Sequence, residues 1–189
     1  PSGDIANVES WDGSSWTEIA DVNQARIAMG KATSIAGNSL GLLFGGGPGG
    51  KNETESWNGS AWTELNNLNT GRRYLSGFGL STSALGFGGE TATAGNVNVV
   101  ESWNGTSWTE VAEVNTGRQG GSAAGDSNTL GIYFGGGSNL LTEAWNGTAW
   151  TEVNDLAAAK NEGSGSGTSN AAFVVLGTVT EEWTVPSFT

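Results

Sequence analysis

Four cations stand at equivalent places in four near-copies of one pattern. Arg26, Arg72, Arg118 and Lys160 each follow a tryptophan (Trp16, Trp62, Trp108, Trp150) by ten residues, and they make up four of the seven Lys and Arg in the 189-residue chain. A guanidinium is a rigid fork of donors that suits a carboxylate or an anionic sugar, and it suits bracing backbone carbonyls equally well. Two chemistries therefore follow. Each cation could tie down its own connector, with Asp21, Glu113 or Asp155 as the acid, or the four together could form a collar that binds an anion. Glutamates recur two residues before the first and two after the second tryptophan of each copy. An acid–base pair needs two unlike environments to separate two pKa values, so these repeated equivalents read as a solvated rim. There is no Asp-x-Asp-x-Asp loop for calcium. The chain contains neither His nor Cys, which removes disulfides, thiolate and imidazole metal sites and a Ser-His-Asp set. No catalytic residue, metal ligand or cofactor is expected.

The element that must position these groups is Glu101-Ser102-Trp103-Asn104-Gly105-Thr106-Ser107-Trp108-Thr109-Glu110, with near-copies at residues 9–18, 55–64 and 143–152 and a truncated copy at 181–184. Asn-Gly between runs of Trp, Thr, Val and Ser predicts a hairpin with a two-residue type I′ loop. In that register Trp103 faces Thr106, Glu101 faces Trp108, and the two tryptophans share a face on a diagonal. The hairpin also accounts for the glycosylation-like patterns at Asn58, Asn104 and Asn146 as turns.

After each cation comes a run of small residues such as 120–125, then a short apolar run ending in glycines, as in Leu40-Gly41-Leu42-Leu43-Phe44-Gly45-Gly46, then a loop and the next hairpin. Each unit reads as four short strands with no helix. The hairpin tryptophans, Trp11, Trp57, Trp103, Trp145 and Trp183, are spaced by 46, 46, 42 and 38 residues. Four strands at a period near 45 predict an all-β, small β-propeller of about four blades. Glycine, alanine and serine lie innermost, and the tryptophans fill the outer gaps between blades rather than forming a sugar-stacking surface. The expected units are 21–66, 67–112 and 113–154, with 155–189 completed by 1–20, so that N- and C-terminal strands pair and close the ring. Either Val8–Trp11 or residues 180–183 takes the third-strand place in that last blade. The chain begins at Pro1, which reads as an excised piece and leaves open a targeting signal or a larger array.

Arginine, a strand, an aromatic followed by Gly-Gly, an aromatic strand and then a tryptophan is an order that resembles the kelch repeat. Phe44-Gly45-Gly46, Phe87-Gly88-Gly89 and Phe134-Gly135-Gly136 match its glycine doublet, and Trp62 and Trp108 match its fourth-strand tryptophan. The chain departs from it with a tryptophan in the third strand, a shortened third-to-fourth connection, and Leu176-Gly177-Thr178 in place of the last doublet. The hairpin wording and the terminal Glu-Glu-Trp-Thr-Val-Pro are also similar to repeat domains of marine bacteriophage tail-fibre and other virion proteins. That resemblance implies a virion location and a host-surface glycan or protein as partner.

The net charge of −12 argues against a phosphate backbone, and no run of 18 apolar residues spans a membrane. Nucleic acid and membrane insertion are therefore not expected, while self-association stays open. The loops between the second and third strands differ most, with 13, 16, 11 and 7 residues from the last residue of the apolar run to the hairpin tryptophan. Variable loops on a repeated scaffold are where binding sites lie. The candidate ligand contacts are Lys51, Asn52, Glu90, Asn96 and Asn98, with the collar of Arg26, Arg72, Arg118 and Lys160. The expected function is a non-enzymatic binding module, and the competing one is a structural assembly domain without a small ligand.

Overall fold

The structure, a computed structural model, describes residues 3–33, 39–159, 163–176 and 179–184. It is all-β, with no α-helix among the described residues. An N-terminal hairpin, β1 (Val8–Trp11) and β2 (Trp16–Ile19), forms a two-stranded sheet. Next comes a four-stranded sheet of β3 (Gly30–Thr33), β4 (Gly41–Phe44), β5 (Thr54–Trp57) and β6 (Trp62–Leu65). The second four-stranded sheet contains β7 (Ser76–Leu80) and β8 (Ser83–Phe87). After the small extra hairpin β9 (Glu90–Thr91) and β10 (Gly95–Asn96), it continues with β11 (Val100–Trp103) and β12 (Trp108–Val111). The third contains β13 (Ser122–Ser127), β14 (Leu130–Phe134), β15 (Thr142–Trp145) and β16 (Trp150–Val153). A three-stranded sheet of β17 (Ser164–Gly167), β18 (Ala171–Leu176) and β19 (Val179–Thr184) ends the described chain. All pairings are antiparallel.

The hairpin register differs from the expected one. Trp103 lies opposite Trp108, and Glu101 opposite Glu110, so the loop has four residues rather than two. The cause is the Asn104 side chain: its Oδ1 accepts the amides of Thr106 and Ser107, both at 2.9 Å, and holds the loop open at four. Asn58, Asn146 and Asp12 do the same in the other copies. The tryptophans are thus direct cross-strand neighbours, with ring centroids 5.3–5.5 Å apart in all four hairpins.

Consecutive sheets pack by setting an aromatic ring into a glycine hollow. Phe44 lies against Gly77 and Gly86 of the next sheet, where an added Cβ would stand 2.4 and 2.7 Å from its ring. Phe78 does this with Gly125 and Gly131, and Phe134 with Gly165. The high glycine content therefore serves sheet-to-sheet contact. The outer tryptophan adds a second tie: Trp108 meets Phe44 of the preceding sheet at 4.8 Å and donates its Nε1–H to Thr54 Oγ1 at 2.9 Å. Trp57, Trp103, Trp108, Trp145 and Trp150 are all buried, which makes them core rather than a stacking surface.

The expected pairing of N- and C-terminal strands is absent among the described residues. The third-strand place beside β18 is filled by β19, with Ala172 opposite Trp183, and β1–β2 stands as a separate sheet. Trp183 fits there as its equivalents do elsewhere: its Nε1–H reaches Ser169 O, as Trp103 reaches Ser81 O and Trp145 reaches Asn128 O.

Candidate binding face

Each repeated arginine is spent inside its own unit. Arg72 is fully buried; it donates Nε–H to Thr70 O, Nη1–H to Gly88 O and Val99 O, and Nη2–H to Glu101 Oε1 at 3.1 Å. Arg26 repeats the set with Gln24 O, Gly45 O, Glu53 O and the Glu55 carboxylate. Arg118 reaches Gly135 O, Thr116 O, Tyr133 O and Glu143, with its guanidinium carbon 3.8 Å from the centroid of the Tyr133 ring. The second carboxylate oxygen of each glutamate takes the backbone and side-chain N–H groups of Asn69, Asn23 or Asn115. A charge removed from water this completely needs a counter-ion and hydrogen bonds in place of water, and each of these guanidiniums has four hydrogen bonds, one of them to a buried carboxylate. Burial lowers the Arg72 pKa, opposed by Glu101. It also raises the Tyr133 phenol to about 12, while the phenol donates to Arg118 O.

Two expectations are corrected by this arrangement. Arg26, Arg72 and Arg118 form internal braces and present no collar to an anion; Lys160 lies outside the described residues. The acid partner is not the connector's own Asp21 or Glu113 but the glutamate preceding the hairpin tryptophan, so Glu55, Glu101 and Glu143 are buried rather than a solvated rim. Of the glutamates flanking the paired tryptophans, those after the second tryptophan (Glu18, Glu64, Glu110, Glu152) and Glu9 of the first copy are exposed. In the last unit the amides of Ala157 and Ala158 bind the Glu181 carboxylate, without the asparagine.

The remaining candidates lie in the loops that follow the glycine doublets. Lys51 is half-buried and reaches Gln24 Oε1 at 3.2 Å, and Asn52 donates to Leu68 O. Glu90 begins the extra hairpin and pairs with Arg73 Nε at 2.6 Å, while Asn96 on its other arm is exposed. Asn98 donates to Glu113 Oε2 at 2.6 Å. The doublets fix these loops to the next unit: Gly46 N–H bonds Arg72 O and Gly89 N–H bonds Arg118 O. Gly45 and Gly88 have φ of +67° and +61°, and a Cβ would stand 2.8 and 2.6 Å from those same arginine carbonyl oxygens. Only glycine fits.

Sequence reasoning missed the residues immediately after the arginines. Ile27, Arg73 and Gln119 are equivalent, as are Ala28, Tyr74 and Gly120, yet their side chains have nothing in common. Tyr74 N–H donates to Ala28 O, and Gly120 N–H to Tyr74 O, so these positions form a backbone ladder from unit to unit. Ile27, Ala28, Tyr74 and Gly120 among them line a depression of about 360 Å³, together with Leu75 and Gly121. Two further cavities, of about 170 and 370 Å³, lie between the inner strands β3, β7, β13 and β17 and share lining residues in turn. The Arg73 side chain is 40% exposed, with its guanidinium carbon 5.5 Å from the ring centroid of Tyr74, which does line the depression. The available signal was variation within repetition, unlike residues beside an unvarying arginine.

No family model matches the chain, and no curated protein matches it. Among solved structures it is similar to one described as "Structure of YjhT", with a TM-score of 0.69 at 11% identity; the match covers 85% of this chain and 62% of that one. The chain thus spans less than two thirds of that relative's length. At this identity the likeness is one of fold: a succession of small antiparallel sheets.

Proposed function

We propose that the chain is a small kelch-like β-propeller of four blades acting as a non-enzymatic binding module. It contacts a host-surface glycan or protein through the face that carries the second-to-third-strand loops. The observation behind this reading is a contrast between neighbouring positions. The buried Arg–Glu–Asn latch repeats almost unchanged, while its immediate neighbours Ile27, Arg73 and Gln119, and Ala28, Tyr74 and Gly120, diverge, and Ile27, Ala28, Tyr74 and Gly120 line a depression. The four-blade reading is supported by the four inner strands that line common cavities. A virion setting rests on the resemblance of the hairpin wording to phage tail-fibre repeats. Arg73 with Tyr74 offers a cation beside an aromatic ring, and Glu90 and Asn96 add polar groups on the extra hairpin; a hydroxyl-rich or anionic sugar suits that set. With a net charge of −12, binding depends on local geometry rather than long-range steering.

A glycan array and a host-cell adsorption assay test this with the wild type and an Arg73→Ala/Tyr74→Ala variant. Saturable binding that is lost in a variant with an unchanged melting curve is the expected result. If the wild type shows no saturable binding to any glycan or cell, the binding reading falls and the assembly-domain reading takes its place.

A further inference from the structure

The interface between the third sheet and the last one holds a cavity of about 220 Å³, bounded by Phe134 and Thr142 on one side and by Ala172, Val174 and Trp183 on the other. Phe134 and Thr142 stand at the places of Phe44 and Thr54 in the first sheet, by their shared register with the following strand. At Phe44 and Thr54 the site is full: the Trp108 indole packs on Phe44 and donates to the Thr54 hydroxyl. One unit further on, Trp150 fills the same place against Phe87 at 5.2 Å, with Val100 where the threonine would be. At the third copy the indole at the site is Trp183, which holds the third-strand position, and Thr142 Oγ1 is buried with no hydrogen-bond partner among the described residues. Leaving a buried hydroxyl unmet costs more than never having placed it there. The residue missing is the tryptophan of a fourth strand, because the last sheet has three strands among the described residues.

One tryptophan of that class is largely exposed and touches only the neighbouring indole of its own hairpin among the ring contacts described. Trp16, at the fourth-strand position of the N-terminal hairpin, is 64% exposed. We propose that strand Trp16–Ile19 leaves Val8–Trp11 and adds to the open edge of Val179–Thr184 in the same chain, seating the Trp16 indole on Phe134 with its Nε1–H on Thr142 Oγ1. In the exchange β2 gives up one third-type strand and gains another, at the cost of the Asp12 loop bonds and the Trp11–Trp16 contact. It keeps Trp183 and the Glu181 bonds where they already are. Its gain is the burial of one indole and the satisfaction of one hydroxyl, and Val8–Trp11 becomes the surplus strand. The proposal rests on the four units sharing one ring.

The absence of native cysteine makes the test direct. By the register of β5 with β6, Trp16 would face Trp183 and Thr17 would face Glu182. Facing residues of antiparallel strands have Cα separations of about 4.5–5.5 Å, within the span of a disulfide. A Thr17→Cys/Glu182→Cys chain should therefore close an intramolecular disulfide under mild oxidation, visible by peptide mapping of the monomer. A Ser10→Cys/Thr17→Cys chain, which links β1 to β2, should close less readily. The opposite order overturns the proposal, as does a 17–182 link found only between chains, which would assign the site to a second copy. A second readout is the sign of Thr142→Val. With the indole seated, the change removes a hydrogen bond and lowers the melting temperature by about 2–4 °C, and combining it with Trp16→Phe adds little. With Trp16 in solvent, it removes an unmet hydroxyl, and an unchanged or higher melting temperature overturns the proposal. Either failure leaves the glycan and adsorption assays free to succeed, so the binding reading is judged separately.

Discussion

Hairpins β1–β2 and β11–β12 have nearly the same sequence and the same register, yet opposite fates. Val8 pairs with Ile19 and Trp11 with Trp16, as Val100 pairs with Val111 and Trp103 with Trp108. The indole pairs are superposable in kind, with centroids 5.4 and 5.3 Å apart and interplanar angles of 44° and 42°. Trp11 and Trp16 are nevertheless 46% and 64% exposed, against 0% and 6% for Trp103 and Trp108. Glu9 is exposed, and Glu101 is buried against Arg72. Hairpin geometry is therefore local, set by the Asx loop and cross-strand pairing. Burial comes from segments distant in the chain: the glycine-bearing strand β8 on one side, the Asn69–Arg72 connector on the other, and Phe44 with Thr54 of the preceding sheet over Trp108.

The largest test of this contrast is Glu101→Ala against Glu9→Ala. Removing Glu101 leaves the Arg72 guanidinium buried without its counter-ion, and a loss of about 3–5 kcal/mol is expected by urea denaturation. Glu9→Ala should stay within about 0.5 kcal/mol. Equal effects would mean that the two hairpins are not differently covered. An alkaline titration addresses the buried region alone. The Tyr133 phenol is raised from 10.0 to about 12 in the folded chain, so between those values the unfolded chain has released a proton that the folded one retains. Stability is complete below about pH 10 and falls as pH rises through about 12, by on the order of 2–3 kcal/mol. Tyr133→Phe should abolish that part of the slope, and an unchanged slope would show the phenol to be solvated.

Gly105→Val against Gly13→Val gives a smaller, sharper comparison. Both glycines have positive φ, +91° and +102°, so both loops are strained by a β-branched residue. Only at Gly105 would a Cβ also meet the backbone of another strand connection, Thr82 O at 3.2 Å. Thermal melts should show a loss of about 1–3 kcal/mol for Gly105→Val and much less for Gly13→Val. The smallest effect is expected at Asp12, whose carboxylate is held down to about 2 by amide and hydroxyl donors from Ser15 and Ser14. Asp12→Asn should leave the melt unchanged, because Asn58 already makes the same amide bonds; a clear shift would show that the charge itself holds this loop.

Much of the strand order was legible because it is written in short repeats: small residues for the inner strand, an aromatic and two glycines ending the second, tryptophans on the outer pair. The register was misread because Asn-Gly signals a turn without stating its length, and the deciding bond is made by an asparagine side chain. The glutamate before Trp103 looked like surface because its partner, Arg72, precedes it by 29 residues. Charge spacing within one hairpin carries no trace of that contact. The nearby asparagine seven residues after each second tryptophan, Asn23, Asn69 and Asn115, was a usable signal. It disappears at Ala157, in the unit whose last sheet has three strands. Tyr74 at the depression and its neighbour Arg73 are marked in the sequence as positions that break the repeat.

The buried latch also bears on inheritance. Arg26 with Glu55, Arg72 with Glu101 and Arg118 with Glu143 each fall inside a single stretch running from one connector to the end of the next hairpin. A gene segment copied or deleted at boundaries near 66/67 or 112/113 moves both ions of a pair together and strands neither. A cut in the middle of such a stretch would separate them and leave a charge in the core. Whole units exchanged at hairpin ends therefore keep each buried pair intact, whereas a truncation inside such a stretch leaves one ion of a pair without its partner.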